Sequence, residues 1–300
     1  QVSTQSTEKL SDIPVNTGLS PAIFGLVIAG FPYIMCFSQD CTPMISTIHP
    51  IHAFSDNYIW AIREAGSNRI CVVDPGDADP VIDYLNSNDY QLSDILITHH
   101  HPDHTGGIQA LLDSYGCRVI GPGSSGIKGL SEVVKEGDRV EVFGQTLSVI
   151  EVPGHTLDHI AYYCEKQELL FCGDTLFAAG CGRLFEGTPV MMNTSLSKLS
   201  RLPQQTQVYC THEYTLANLK FAAAADPENI LLKKRIEVEQ AKRADNKPTL
   251  PSSIELELET NPFLRCNEDG LKKSAATRLG REPADDVEVF STLRAWKDSF

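Results

Sequence analysis

No two of the nine cysteines in this 300-residue chain stand in a CxxC arrangement, and their number is odd. That excludes a disulfide framework and a dithiol redox motif, and leaves buried thiols in a reducing, cytoplasmic setting as the expectation. An excess of basic residues is also missing. Lys and Arg number 25 against 39 Asp and Glu, for a formal charge of −14, which excludes the basic surface that a nucleic-acid partner needs. No internal repeat or low-complexity tract is present. The apolar stretch from Pro21 to Phe37 is interrupted by Pro32, whereas a membrane span needs about 20 unbroken apolar residues. A secretory leader would place basic residues ahead of such a stretch, and only Lys9, beside Glu8, stands there. No membrane partner is expected.

What is present is ordinary in bulk. A hydrophobic content of 42% and a charged content of 21% suit a globular chain. Residues 1–43 are expected to stand outside the folded part, as a mis-called start, an anchor or a targeting extension. Met44-Ile45-Ser46-Thr47-Ile48 reads as a natural beginning. From 44 to 212, short β-like runs alternate with turn signals. Strands are expected over 58–62, 70–73, 93–97, 118–120, 146–152, 160–164, 169–172 and 207–210, with helices over 80–86 and 108–115. This mixture predicts an α/β sandwich of two sheets with helices outside. From 213 to 300 the pattern turns helical. One helix is expected over 216–225 and a second is expected to start at Pro227 and run to Ala244, with Glu239 and Arg243 paired. A third is expected from Asp285, with Val287, Phe290, Leu293 and Trp296 as its apolar stripe.

The densest chemistry lies in Thr98-His99-His100-His101-Pro102-Asp103-His104-Thr105-Gly106-Gly107. Imidazoles with an interleaved carboxylate are the donors of zinc, iron and copper sites. An extended exit from the 93–97 strand points His99, His101 and Asp103 one way and His100 the other. The Gly106-Gly107 turn then swings His104 back to the same pocket. Three further strand ends carry the same design: His155 after Val152-Pro153-Gly154, Asp174 after Phe171-Cys172-Gly173, and His212 after Tyr209-Cys210-Thr211. Singly, each would read as a turn or surface residue. Together, His99, His101, Asp103, His104, His155, Asp174 and His212 exceed the needs of one zinc ion and fit two metals sharing a bridge. A carboxylate can bridge two cations where a neutral imidazole cannot, which gives Asp174 that place. His159 is read as packing or support, and His49 and His52 as structural.

The HxHxDH loop with downstream His155, Asp174 and His212 resembles the metallo-β-lactamase superfamily. Gly180-Cys181-Gly182-Arg183-Leu184-Phe185, His212-Glu213-Tyr214-Thr215 and Asn261-Pro262-Phe263-Leu264-Arg265 resemble, more narrowly, the type II glyoxalases or hydroxyacylglutathione hydrolases. The resemblance implies an αββα catalytic domain over 44–212 and a helical substrate-binding domain over 213–300. It implies one metal on His99, His101 and His155, and a second on Asp103, His104 and His212, with Asp174 bridging. The ions would be two divalent cations, zinc first, with iron or manganese as alternatives. Glutathione contacts would fall on Arg183, Tyr214, Arg294 and Lys297. Two positions depart from the animal-type pattern, which has Lys at 183 and Tyr at 185; Arg183 and Phe185 resemble the bacterial branch.

The implied reaction is hydrolysis of S-D-lactoylglutathione to D-lactate and glutathione, the second step of methylglyoxal detoxification. A hydroxide held between the ions would attack, with Asp103 and Asp174 as the catalytic carboxylates. The leaving thiol, with a pKa of about 8.5, needs no strong general acid. The expected partner is therefore a small-molecule thioester, acted on by a monomer. Arg183, Arg294 and Lys297 are the cations such an anion needs on an acidic chain. For Arg294 and Lys297 the plain alternative is a solvated helix end. A mononuclear iron persulfide dioxygenase using only His99, His155 and Asp174 is the rival activity.

Overall fold

The computed structural model describes residues 13–14, 45–123 and 126–300. The expectation for residues 1–43 lies, Ile13–Pro14 apart, outside the described residues.

Two sheets form, and alternation along their strands explains why they stack. The first holds, in spatial order, β1 (Ile13–Pro14), β2 (Ile45–Ala53), β3 (Asn57–Glu64), β4 (Arg69–Val73), β5 (Gln91–Leu96), β6 (Arg118–Pro122) and β7 (Glu132–Val134). Its pairs are antiparallel as far as β4 and parallel beyond it. In β3, Tyr58, Trp60 and Ile62 join the core between the sheets, whereas Ile59 and Ala61 join a second core under the helices. β4 divides likewise, Cys71 and Val73 against Ile70 and Val72. A strand covered on both faces is apolar at every position, with period two deciding which layer receives it.

The helices on the outer face are α1 (Asp79–Asn88), which brings Val81 and Leu85, and α3 (Ile108–Tyr115), which brings Ile108 and Leu111. The second sheet runs β15 (Ser252–Ser253), β14 (Gln207–Cys210), β11 (Leu169–Gly173), β10 (Ile160–Cys164), β9 (Gln145–Glu151) and β8 (Arg139–Val142). A separate hairpin joins β12 (Leu176–Phe177) to β13 (Gly180–Cys181). The expected sandwich is therefore present, and β15, from the C-terminal stretch, completes one edge of the second sheet.

Helix α4 (Pro189–Leu199) packs against the far side, followed by α5 (Thr215–Ala225), α6 (Ile230–Ala244), α7 (Ile254–Thr260), α8 (Asp269–Leu279) and α9 (Asp286–Asp298). Their starts are set by side chains. Thr188, Asn229, Ser253 and Asp285 each accept a hydrogen bond from a backbone N–H of the first turn. Asn229 is a stronger start signal than Pro227, so α6 begins at Ile230 and not at the proline. Glu239 pairs with Lys242 rather than Arg243, whose guanidinium turns towards Glu213. In α9 it is Val289, Phe290, Leu293 and Arg294 that are buried.

The metal-loop geometry also differs from a simple extended exit. β5 ends at Leu96, and Pro102–Thr105 is a short helical turn, α2, with His101 extended at its start. Alternation therefore stops at His101, and it is the helical turn that directs Asp103 and His104. Gly106 and Gly107 both have helical backbone. Glycine is needed there for space: a Cβ would lie 2.6 Å from the carbonyl oxygens of Gly76 and Pro75 respectively.

Candidate metal centre and substrate cavity

The loops leaving β5, β9, β11 and β14 bring all seven predicted donors together. His99, His101 and His155 each present a donor atom within 4.8 Å of the others, as do Asp103, His104 and His212, and also His99, His104 and Asp174. The Asp174 carboxylate lies between the two trios. Its Oδ2 is 3.4 Å from His155 Nε2 and 3.3 Å from His212 Nε2, and its Oδ1 is 3.5 Å from His104 Nε2.

Whether this cluster suits cations can be judged from its unmet atoms. His99 Nε2, His104 Nε2 and Asp174 Oδ1 are buried without a hydrogen-bond partner, an arrangement that costs free energy unless something else satisfies them. The outward-facing nitrogens explain which lone pairs are free. Thr98 Oγ1 donates its single hydrogen to Asp74 Oδ2 at 2.7 Å, so it must accept from His99 Nδ1 at 3.0 Å. His104 Nδ1 donates to Asp74 Oδ2 at 3.1 Å, His212 Nδ1 to Asp56 Oδ1 at 2.8 Å, and His155 Nδ1 to the Arg183 carbonyl at 2.8 Å. In each ring Nε2 faces the cluster, that of His155 lying 3.0 Å from His101 Nδ1, and the ring is oriented by a partner behind it. The donor set fits divalent cations.

Electrostatics divides the cluster. Burial holds His99 well below the ordinary imidazole range, and burial also lowers His101 and His155. This trio offers neutral lone pairs. In the other half, burial opposes charge but loses: Asp174 and Asp74 hold His104 well above its usual range. Asp174 in turn sits well below the carboxylate range, because His104 and His212 outweigh its burial. Asp103 is lowered as well, its burial overcome by His104 and Asn57.

The remaining histidines behave as supports. His159 accepts the Asp174 backbone N–H on Nε2 at 3.0 Å and stacks on His99 with ring centroids 4.5 Å apart. Burial pushes it down to about 3. His100 points away from the cluster and bonds Asp158, with Glu186 beside it. His49 stacks on Tyr84, and His52 packs edge-on against Tyr58.

Beside the donors opens a cavity of about 610 Å³, which Arg183, Tyr214, Arg294 and Lys297 also line. Arg294 is not a solvated helix end. It is only 4% exposed, donates to the Cys181 carbonyl at 2.9 Å, and pairs with Asp298 at 2.9 Å. Asp298 also meets Arg183 at 3.3 Å, so one carboxylate ties two cavity cations together. Burial, aided by the neighbouring Arg294, lowers Lys297 to about 8. Tyr214 lies flat on His212, 4.6 Å between centroids and 5° between planes. Phe185 is 62% exposed at the rim, with its ring edge-on to His101 and His155.

Sequence reasoning missed Asp56, Asp74, Thr98 and Asp298. Asp74 follows the same strand-then-aspartate design that singled out Asp174, but Asp74-Pro75-Gly76-Asp77 reads equally well as a turn. Its left-handed φ of 54° is a further mark of a constrained site residue. For Asp56 and Asp298 no local signal exists.

A metallo-beta-lactamase superfamily model matches residues 54–212, and a model of the hydroxyacylglutathione hydrolase C-terminus matches 213–300. The hydroxyacylglutathione hydrolase of Pseudomonas paraeruginosa is 55% identical over 255 residues, covering 84% of this chain and 99% of that protein. This chain belongs to the hydroxyacylglutathione hydrolase family. A Pseudomonas putida member of that family is 51% identical over 256 residues, with the same coverage of 84% and 99%. Among solved structures, ETHE1 from Myxococcus xanthus superposes with a TM-score of 0.57 at 22% identity, over 84% of this chain and 98% of its own. The B3 metallo-beta-lactamase BLEG-1 gives 0.54 at 21%, over 73% and 98%. At such identities these two structures support the fold alone. No helix among the described residues is long and apolar enough to cross a membrane.

Proposed function

We propose that this chain hydrolyses 2-hydroxyacylglutathione thioesters, S-D-lactoylglutathione foremost, to the hydroxy acid and glutathione. One observation carries the reading: five residues of the donor cluster, His101, Asp103, His155, Asp174 and His212, and three cations, Arg183, Arg294 and Lys297, line the same cavity on a chain of net charge −14. These cations stand against the general negative charge of the chain, so the cavity favours a substrate whose carboxylates they can hold. The 55% identity to a hydroxyacylglutathione hydrolase supports the same substrate class.

His99, His101 and His155 would hold one divalent ion, and Asp103, His104 and His212 a second, with Asp174 between them; zinc is the first choice, iron or manganese the alternatives. When bound, such ions acidify a water and polarise a carbonyl. The chain's own residues do the rest. Asp74, Asp56, Thr98 and the Arg183 carbonyl fix the imidazole rings before any ligand arrives. Asp103 and Asp174, kept ionised by His104 and its neighbours, supply the negative charge that the cations require. Arg183, Arg294, Lys297 and Tyr214 orient the glutathione portion so that the thioester carbon faces the donor cluster, which removes much of the entropic barrier. The leaving thiolate departs unaided, its conjugate acid having a pKa of about 8.5.

The mononuclear dioxygenase uses only His99, His155 and Asp174 and leaves Asp103, His104 and His212 without a task. We place the chain in the cytoplasm as a monomer. All seven cysteines among the described residues are free and buried, which suits a reducing compartment. The deciding experiment is hydrolysis of S-D-lactoylglutathione by the purified chain, with metal counted on the same sample. Turnover with close to two ions per chain is expected. A single iron with no turnover would sink the proposal.

A further inference from the structure

Between Asp174 and Arg183 the chain makes the hairpin β12–β13, and nothing local explains why it holds its shape. Its strands are two residues each, and a lone two-stranded hairpin is marginal in water. At its turn Ala179 takes a left-handed φ of 56°, a conformation that favours glycine. Yet the hairpin forms part of the cavity floor through Phe177 and Cys181, and the Phe177 ring packs edge-on against both His212 and Tyr214.

The shape is imposed from the helical module. Asn261 Nδ2 donates to the carbonyls of Phe177 at 3.2 Å and Gly180 at 2.9 Å. Asn218 Nδ2 donates to the Ala178 carbonyl at 2.9 Å. Glu257 Oε2 accepts the Ala179 N–H at 2.8 Å and, 2.9 Å from Asn261 Nδ2, shares one of the two amide hydrogens with the Phe177 and Gly180 carbonyls. Asn261, Glu257 and Asn218 are at most 1% exposed. Glu257 is itself fixed by Arg235 at 2.6 Å and by the Ser252 hydroxyl, and the Asn261 side-chain carbonyl accepts the Phe263 N–H at 3.0 Å. Four backbone polar groups, one from each residue of 177–180, are thus held by buried side chains, and Glu257 and Asn261 are themselves anchored in turn.

We propose that Asn261, oriented by Glu257, is a positioning residue for the thioesterase. It sets the hairpin that spaces Asp174, at the reacting end of the cavity, from Arg183, at the anion-binding end. This rests on the functional reading above. Glue that merely held the helical module in place would not need to grip, residue by residue, the segment that joins Asp174 to Arg183. Catalysis, in contrast, is sensitive to displacements of about 1 Å at such a segment.

The test compares the full chain with Asn261→Ala and Asn218→Ala, each loaded with metal. It reads kcat and KM for S-D-lactoylglutathione, calorimetric binding of glutathione, metal content and the melting curve. For Asn261→Ala, assayed well below its melting temperature, kcat/KM should fall on the order of tenfold to a hundredfold. KM and the glutathione Kd should rise together while the metal count stays that of the parent. Asn218→Ala should lose less, in the same direction. A lowered melting temperature with kcat, KM and glutathione binding all within twofold of the parent would overturn the proposal. Should Asn261→Ala fail to fold, Asn218→Ala alone decides by the same criterion. If the parent itself does not turn over the thioester, the functional reading falls separately. Glutathione binding unchanged by both variants would then overturn the positioning role as well.

Discussion

Asp56 and His212, 156 residues apart in sequence, meet through a 2.8 Å hydrogen bond from His212 Nδ1 to the Asp56 carboxylate. It fixes the ring so that Nε2 faces Asp174 and Asp103. Removing such an outer partner typically lowers metal affinity about 10–100-fold. Asp56→Ala should therefore lose metal to a chelator at correspondingly lower concentration, with the fold intact by circular dichroism. Equal retention in parent and variant would count against a ligand role for His212.

Asp74 accepts three hydrogen bonds at one carboxylate: the Thr98 N–H, the Thr98 hydroxyl and His104 Nδ1. Every partner is a donor, so even the isosteric Asp74→Asn must turn an N–H towards one of them. The expected cost is about 2 kcal/mol of stability, the penalty of an unsatisfied buried donor, together with loss of activity. Denaturant melts of the metal-free protein isolate the first effect from the second.

Lys297 is lowered to about 8 by burial and by Arg294. If it binds a substrate carboxylate, KM should be flat below pH 8 and climb above it as the ammonium deprotonates, while kcat follows its own profile. Lys297→Met should raise KM and abolish that climb. The stability sign is the opposite of a stabilising pair. The fold disfavours the ammonium, so this cost is present in full below about 8 and fades as pH rises towards the lysine's ordinary 10.5.

Gly182 follows the hairpin at a close approach: a Cβ there would lie 1.9 Å from the Asp174 carbonyl oxygen. Backbone cannot yield as a side-chain tip can, so Gly182→Ala should displace Asp174 and abolish most turnover, at a stability cost of about 2 kcal/mol or more. A variant with parental kcat would disprove this steric requirement.

Phe185 has no hydroxyl to offer a ligand, although it stands at the cavity rim over His101 and His155. Phe185→Tyr supplies one. A single net hydrogen bond of about 1 kcal/mol corresponds to a KM roughly fivefold lower. An unchanged KM would mean that the rim lies away from the glutathione portion.

Much of this was legible from residue order, because strands and metal ligands leave local marks. β10, β14 and α3 have the extents that hydrophobic pattern and a terminal glycine indicate, and the donors of the cluster each follow a strand end. What escaped is whatever depends on distant partners. β7 and β8 are three and four residues long in charged surroundings and owe their form to neighbouring strands. α4 is rich in Ser, Thr and Asn, weak helix formers held by the Thr188 cap. Asp56, Asp298 and Asn261 are ordinary turn or helix-end residues until the fold delivers His212, Arg183 and the hairpin to them.

The edge strand β15 has a consequence for synthesis. β14 is complete once Cys210 has been made, but Ser252–Ser253, which cover it, follow some forty residues later. At about 5–20 residues per second, the nascent chain carries an open, apolar sheet edge for roughly 2–8 s. Uncovered edges are templates for unwanted strand pairing. A premature stop between these strands therefore yields more than a chain without its binding module: it yields a catalytic layer with its sheet edge uncovered.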